Sequence, residues 1–513
     1  VIDHLNWTAT IVFVAFFLLV TVLGFVAAHW QRGDLADLNE WGLGGRRFGP
    51  WISWFLIGGD LYTAYTVIAV PAVVYAIGAY GFFAVPYTII IYPLLYVAFP
   101  RLWRLAHRNR CMTAADYLVG RFGNRWLELA VAFTGILATM PYIALQLVGM
   151  EKVIQALGFQ GEGLTSHLPL TIAFIILAVY TYRSGLRAPA MIAFVKDIMI
   201  YIFVIAAVIV VPIKLGGYGV IFDKAGEFFA QKTAASHGKV AAGLLLAPGQ
   251  IWPFITLAIG SALALFMYPH SMTAILAARS EKAIKVNAVA LPAYSLLLGL
   301  VALLGLMAHA AGVKVANPQD AVPQLFLKVF PDWFVGFAFA AIAIGALVPA
   351  AVMSIGAANT FTRNIWKPFV SPNMSGEDEA VLAKLMSLVV KVGALAFILL
   401  IPTKFALDLQ LLGGVWMIQI FPALIFGLFS HRFSGIGLLF GWAVGMVLGT
   451  WLAWTPGAWV PVHALFGTGI AVYNGLIGLA ANIVVAVVLS ALLPKTAQEI
   501  AATSASLPQG NAT

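Results

Sequence analysis

The sequence predicts an all-α polytopic membrane protein with thirteen transmembrane helices. Three observations predict it. Of 513 residues, 62% are hydrophobic and only 10% charged. Apolar runs near 20 residues, the length of one bilayer crossing, recur along the chain. Arginines fall only after alternate runs. Soluble domains carry roughly 25% charged residues, so lipid must take the place of a polar coat here.

The apolar runs are 8–28, 51–78, 82–99, 126–156, 169–182, 188–213, 249–276, 286–312, 333–361, 383–402, 406–429, 434–454 and 468–493, segments 1 to 13 in order. Segment 1 lacks a basic leader and a small-residue cleavage site, so it reads as a retained helix. Arg32, Arg46 and Arg47 follow segment 1, and Arg101, Arg104, Arg108, Arg110, Arg121 and Arg125 follow segment 3. Arg183 and Arg187 follow segment 5, Arg279 segment 7, Arg363 segment 9 and Arg432 segment 11. Six clusters on one side arise by chance roughly 1 time in 32, and basic loops stay cytoplasmic. The N-terminus is thus expected outside and the C-terminus inside. The same rule explains the net charge of +9, so no nucleic-acid partner is expected. The stretch 214–248, with Lys214, Lys224, Lys232 and Lys239, falls outside as a long extracellular loop, where the rule is weak. Residues 495–513 are rich in Ala, Ser and Thr and read as a flexible cytoplasmic tail.

Segment 2 is interrupted by Gly58-Gly59-Asp60-Leu61-Tyr62-Thr63, with Pro71 beyond. Glycine weakens a helix and proline removes a donor, so backbone carbonyls are expected to be free there. Irregular backbone at membrane depth lines protein or a wet cavity. A carboxylate such as Asp60 is costly there unless it is paired, hydrated or protonated. Segment 7 carries a matching interruption, Gly260-Ser261 followed by Tyr268-Pro269-His270-Ser271. Broken helices at matching positions point to an inverted-repeat transporter. The halves would be 51–213 and 249–432, after a leading 1–50 and before trailing helices in 433–494.

Five loop motifs carry a resemblance. They are Glu40-Trp41-Gly42-Leu43-Gly44-Gly45-Arg46-Arg47-Phe48-Gly49, Thr113-Ala114-Ala115-Asp116-Tyr117-Leu118 with Arg121-Phe122-Gly123, Ala278-Arg279-Ser280-Glu281-Lys282, Phe361-Thr362-Arg363-Asn364-Ile365-Trp366, and Gly427-Leu428-Phe429-Ser430-His431-Arg432. In this order they resemble the sodium:solute symporters, with Asn364 where an aspartate is usual. The resemblance implies a LeuT-like 5+5 inverted repeat with one leading and two trailing helices. Gly185-Leu186-Arg187-Ala188-Pro189-Ala190 and residues 345–354 resemble the bacterial monocarboxylate permease branch. That branch implies lactate, pyruvate, acetate or similar acids as substrate, and the bacterial inner membrane as location.

One departure bears on the coupling ion. The family's sodium site uses backbone oxygens of the first core helix, and carbonyls and two hydroxyls of the eighth. The resemblance places the hydroxyl positions at Val348 and Pro349, which have none. Gly58, Leu61 and Gly345 retain only carbonyls, too few oxygens for a hard cation. The family's Thr-Asp pair on the fifth core helix reads Lys196-Asp197 here. A lysine facing the vacated position replaces the cation's charge. Lys196, Asp60 and Asp197 are the candidate proton carriers, because burial shifts such groups. The other reading of Lys196 is a side chain that snorkels to the cytoplasmic face and pairs with Asp197. Transport is thus expected to be proton-coupled or sodium-independent. The alternative is a sodium-coupled symporter of proline, sugar or another neutral solute.

Substrate candidates are Tyr62, Thr63, Tyr65 and Thr66 beside the break, Tyr142 and Gln146 one turn apart in segment 4, and Gln419 in segment 11. His270 reads as structural or gating, near the inner end, and Lys391 as snorkelling inward. Glu151 and Lys152 read as a solvated outer rim. The single cysteine, Cys111, excludes a disulfide and a multi-cysteine metal site. There is no phosphate-binding glycine loop with lysine, so ATP drive is not expected. No soluble catalytic domain stands out, so no enzyme activity is expected, and no cofactor or metal is expected. A passive channel and a transporter-like sensor are the remaining rivals. Oligomeric state is left open.

Overall fold

The computed structural model describes residues 5–30, 33–159, 167–237, 240–400, 403–456, 458–465, 467–497 and 499–501. The side chain of Tyr65 lies outside the described residues. Polar side chains start several helices by accepting one of the backbone N–H groups a helix end leaves free, among them Asn6, Thr63, Thr113 and Ser434.

In the first half, α1 (Trp7–Val26) starts from Asn6, whose side chain accepts from the Ala9 N–H. A short α2 (Leu38–Leu43) leads to α3 (Pro50–Leu61). The helix stops at Tyr62, where φ is −103° and ψ 84°. It resumes as α4 (Ala64–Ile77), capped by the Thr63 side chain on the Thr66 N–H, at a 43° bend. Next come α5 (Ala84–Ile90) and α6 (Tyr92–Arg108), which cross together, then a short α7 (Ala114–Phe122) capped by Thr113. The half closes with α8 (Arg125–Ala156), α9 (Leu168–Ser184) and α10 (Arg187–Leu215).

In the second half, α11 (Tyr218–Ala235) precedes α12 (Ile251–Leu265) and α13 (Pro269–Leu276). Then follow α14 (Glu281–Ala290), α15 (Pro292–Ala310) and α16 (Ala321–Val329). The 30-residue α17 (Asp332–Phe361) is buried along nearly its whole length. It runs through a π-helical turn at Thr362–Trp366 into α18 (Lys367–Phe369). Then come α19 (Gly376–Leu400), α20 (Thr403–Met417), a second π-helical turn at Pro422–Phe426 and α21 (Gly427–Phe429). The trailing pair is α22 (Gly435–Ala453) and α23 (Asn474–Leu492).

Among the described residues, 11 helices are long and apolar enough to cross a bilayer, or 12 with α3 and α4 as one bent span. Of the thirteen predicted spans, 169–182 is the one that falls short. It forms α9, an apolar helix of 17 residues, about one residue less than the 18 that mark the others. Four further details differ from expectation. The 214–248 loop holds α11, which buries Ile221, Ala225 and Phe229. Two antiparallel hairpins, Trp454–Thr455 with Ala458–Trp459 and Val462–Ala464 with Ala471–Tyr473, separate the trailing helices. The expected flexible tail is docked at its start, because Glu499 accepts from the Gly435 N–H at 2.6 Å; residues 502–513 lie outside the described ones. Finally, Gly260 and Ser261 are helical within α12, and the interruption is at Phe266–Tyr268. Gly260 serves packing instead, since a Cβ there would lie 2.2 Å from the Tyr473 ring.

The five motif loops come together on one face. Phe48 pairs with Ala278 as a parallel bridge. Asn359 donates to the Gly42 carbonyl at 3.3 Å. Asn364 bonds Asp116 at 2.7 Å, and Arg121 reaches the Gly427 carbonyl at 3.2 Å. Arg47 and Arg187 both pair with Glu40.

Candidate functional site

Two buried helices act as rulers for the centre of the molecule. On α8, Gly149 backs onto Ala64 and Gly135 onto Pro269; on α17, Gly345 backs onto Ala64 and Gly356 onto Pro269 and His270. At 1.5 Å per residue these spacings set the N-terminus of α4 and that of α13 roughly 16–21 Å apart. The half-helices run away from each other, so two partially positive ends face one gap. Close approach depends on glycine at Gly135, Gly149 and Gly356, whereas a Cβ at Gly345 would sit in ordinary contact, 3.5 Å from Ala64. A Cβ at Gly149 would lie 3.0 Å from Ala64 backbone, and one at Gly356 2.9 Å from the His270 nitrogen.

Buried and half-buried polar side chains reach into the gap. From α8, Tyr142 meets the rings of Tyr268 and His270 at 5.8 and 5.7 Å. One turn on, the Gln146 amide donates to the Tyr142 carbonyl at 3.4 Å, while its Oε1 has no partner among the described residues. Thr63 and Thr66 hydroxyls lie 3.2 Å apart at the α4 end. Tyr62 turns to the other side. Its ring stacks on Tyr294 at 4.3 Å, and its hydroxyl bonds Ser295 at 2.9 Å.

Lys196 and Asp197 project from α10 into the break, both fully buried. The Lys196 ammonium donates to the carbonyl oxygens of Gly59 at 2.9 Å and Tyr62 at 3.3 Å. It lies 2.7 Å from Asp197 Oδ1. The snorkelling reading of Lys196 is thereby corrected, because its amine ends on the broken helix inside the bundle. The expected carbonyls are also shifted by one residue. Gly58 O accepts the Tyr62 N–H at 2.9 Å, and Leu61 O lies 3.4 Å from the Thr66 hydroxyl. Gly345, Val348 and Pro349 line the buried α17 opposite, and none brings a side-chain oxygen.

Asp60 joins the two broken helices. Its Oδ2 lies 3.5 Å from the Ser271 hydroxyl and 3.7 Å from His270 Nε2. His270 is therefore not at an inner end; it opens α13 at the gap, and its depth was misjudged because the break lies later than expected. Gln419 is not brought to this gap. It donates to the Val415 and Gly475 carbonyls, each at 3.1 Å, and Asn482 donates to its backbone carbonyl at 2.8 Å. In the Gly437, Gly441, Gly445 and Gly449 stripe on α22, Gly445 makes room for it, since a Cβ there would lie 2.2 Å from Gln419 Oε1, while Gly437 and Gly441 take the close approach of α23 at Ala486 and Asn482. Such small-residue spacing is a helix-pairing signal, and it was readable in the sequence.

At the C-terminal end of α8, a cavity of about 370 Å³ is lined by Glu151, Lys152, Gln155, His167 and Gln319 among others. Lys152 pairs with Asp320 at 2.9 Å and Glu151 with His167 at 2.8 Å, so the expected rim is an ion-paired one. Lys391 is buried and donates to the Ser387 hydroxyl at 2.6 Å. No cluster of metal-ligating side chains occurs among the described residues.

A profile of the sodium:solute symporter family matches residues 41–445. A monocarboxylate transport permease protein of Rhizobium johnstonii is 60% identical over 96% of this chain and 98% of its own. An uncharacterized symporter of Bacillus subtilis, YodF, is 35% identical over 96% of this chain and 95% of its own. A sodium/proline symporter of Staphylococcus aureus is 24% identical over 96% of this chain and 94% of its own. Among solved structures, a Na⁺-coupled sialic acid symporter in a substrate-bound outward-open state superposes with a TM-score of 0.74. It is 17% identical and covers 95% of this chain and 98% of that one. That likeness shows the fold, which is the LeuT-like one the loop motifs implied. With four-fifths of its length matched by one profile, the chain belongs to the sodium:solute symporter family, as a multi-pass membrane transporter and not an enzyme.

Proposed function

We propose that this protein imports short monocarboxylates such as lactate, pyruvate or acetate by alternating access, coupled to protons or independent of sodium. The observation that carries the ion assignment is the Lys196 ammonium on the Gly59 and Tyr62 carbonyls. A sodium ion needs several oxygens, yet these two already serve a tethered cation, and Val348 and Pro349 add no hydroxyl. The tethered ammonium takes the place of an exchangeable ion. Asp197 neutralises it when charged, and Asp60 is the second carboxyl able to carry the proton.

The substrate assignment draws support from the 60% identical permease and from the gap itself. Two half-helix N-termini favour an anion. The rings of Tyr142 and Tyr268 offer an apolar wall, and Gln146, Thr63 and Thr66 offer hydrogen bonds. We place the N-terminus outside and the C-terminus in the cytoplasm, across the bacterial inner membrane, on the arginine pattern.

The test is uptake of labelled lactate into proteoliposomes. An inward proton gradient without sodium is expected to drive accumulation, with saturable counterflow. Accumulation driven by an inward Na⁺ gradient alone overturns the ion assignment. It would favour the second reading, a sodium-coupled carrier, for which the sodium/proline relative is the specific support. Competition by pyruvate, acetate, alanine and proline tests the substrate class.

A further inference from the structure

We propose that Asp60 and His270 form a proton-dependent reader of the substrate carboxylate, coupling proton loading to binding. The inference rests on the proton-coupled monocarboxylate reading above and names the device that would couple the two ligands. The pair bridges the two broken helices: Asp60 ends α3 and His270 begins α13. Both are nearly fully buried. His270 Nε2 faces Asp60 Oδ2 at 3.7 Å, beyond hydrogen-bond length and close enough for a small side-chain movement to close it. The other nitrogen, His270 Nδ1, has no partner among the described residues, and neither has Asp60 Oδ1. A buried polar atom without a partner is costly, and this one stands at the positive end of α13, beside Tyr142 and Tyr268.

The chemistry follows from the two ring nitrogens. With the pair carrying one proton, the hydrogen sits on Nε2 between imidazole and carboxylate. Nδ1 then presents a lone pair, which repels a substrate carboxylate. A second proton arriving at Nδ1 changes the pair's charge from −1 to 0. The Nε2 hydrogen stays or passes to Asp60 Oδ2. In both cases Nδ1–H now donates to the substrate. Proton and substrate thus bind with positive coupling, and each raises the other's affinity by the same factor. The charged neighbour acting on Asp60 is Lys196, itself paired with Asp197. The titratable neighbours of His270 are Tyr142, Tyr268 and Asp60, and α17 meets the His270 backbone at Gly356. Ser271 supplies the remaining contact on Asp60.

Two substitutions mimic the loaded pair. Asp60→Asn donates an amide hydrogen to Nε2 and so fixes Nδ1–H; His270→Asn sets an amide donor near the Nδ1 position. Labelled L-lactate KM is measured with equal pH on both sides, from about pH 5.5 to about 7.5. One linked proton predicts a wild-type KM rising roughly tenfold per pH unit over the upper part of that range. Each folded variant is expected to flatten this slope to below about twofold, and to lose pH-driven accumulation. The wild-type protein gives an independent readout, a pH-dye measurement of about one proton taken up per lactate bound in weak buffer. If wild type takes up no proton, the proton-coupled reading falls and this inference with it. If wild type takes up the proton and a folded variant keeps the wild-type slope or accumulation, the inference alone falls.

Discussion

The ammonium of Lys196 lies 2.9 Å from the carbonyl oxygen of Gly59, so a side chain from α10 closes the polar end of a helix broken inside the bundle. The contact has an energetic consequence. Removing one partner of a buried pair strands the other, at about 3–5 kcal/mol, while removing both strands less. Lys196→Met is therefore expected to lower the melting temperature strongly. Lys196→Met combined with Asp197→Asn is expected to recover part of the loss. A thermal-melt cycle in detergent measures this, and a double variant that is simply the sum of the two singles would contradict the pairing.

Space at the same contact is equally constrained. A Cβ on Gly59 would lie 2.9 Å from Lys196 Nζ, a distance that forces the ammonium off its carbonyls. Gly59→Ala is expected to cost about 1–3 kcal/mol, the range for overpacking, and to reduce lactate uptake more than about tenfold, as displacement of a positioned group does. Gly299→Ala is the control. Its Cβ meets nothing nearer than Val85 at 3.8 Å, so melting temperature and uptake should stay near wild type. Equal losses in both variants would show that helix glycines matter generally and not through Lys196.

The break in segment 2 was legible because Gly58-Gly59-Asp60 offers three reasons against a continuous apolar helix. The second break was misplaced because glycine has two uses. Gly260 clears space for Tyr473, whereas the chain unwinds at Phe266–Tyr268, where only Pro269 at the restart of α13 gives notice. That error hid the depth of His270. Lys196 is legible through the family resemblance, which puts Lys196-Asp197 where a Thr-Asp pair is usual. The exact carbonyls it meets depend on the rotation of Tyr62 to ψ 84°, which residue types do not specify. Gln419 reads as a site residue because a lone amide in an apolar run finds no polar side chain nearby in sequence, only the Val415 carbonyl one turn back. Its partners, Gly475 and Asn482, arrive from α23 more than 50 residues later.

Asn364 ties three elements together by donating to Asp116 Oδ1 at 2.7 Å and Glu128 Oε1 at 2.8 Å while accepting from the Thr113 hydroxyl at 2.7 Å. Its amide nitrogen supplies both of its hydrogens to carboxylates. Asn364→Asp removes both donors and adds a third acid among them. Arg363, 3.4 Å from Asp116 and 3.0 Å from Glu379, is already engaged. The expected loss is about 2–5 kcal/mol, the range for a buried polar group left unpaired against like charge. Asn364→Asp with Glu128→Gln restores a donor facing the new carboxylate and should recover much of the melting temperature. No recovery in the double variant would mean that the π-helical turn at Thr362–Trp366 depends on the amide for another reason.

Cys111 offers a prediction about reactivity. It is the single cysteine of the chain, it is buried, and burial pushes its thiol up to about 12, with the Asp116 carboxylate adding to the effect. The thiolate is the reactive form, and a group titrating that high is ionised to about 1 part in 100,000 at neutral pH. The Arg46 guanidinium lies close by but bonds the Cys111 carbonyl at 2.5 Å, leaving the sulfur to a weak 3.9 Å contact with the Asn109 carbonyl. Native protein is thus expected to stay largely unmodified by N-ethylmaleimide at neutral pH, and to label fully once unfolded in detergent. Intact-mass spectrometry of the two samples measures it. The rate in the native sample should rise with pH toward alkaline values, because the thiolate fraction grows tenfold per unit below its pKa. Rapid, complete labelling of native protein at neutral pH would place Cys111 at an open surface and would contradict the packing of α7 against the π-helical turns.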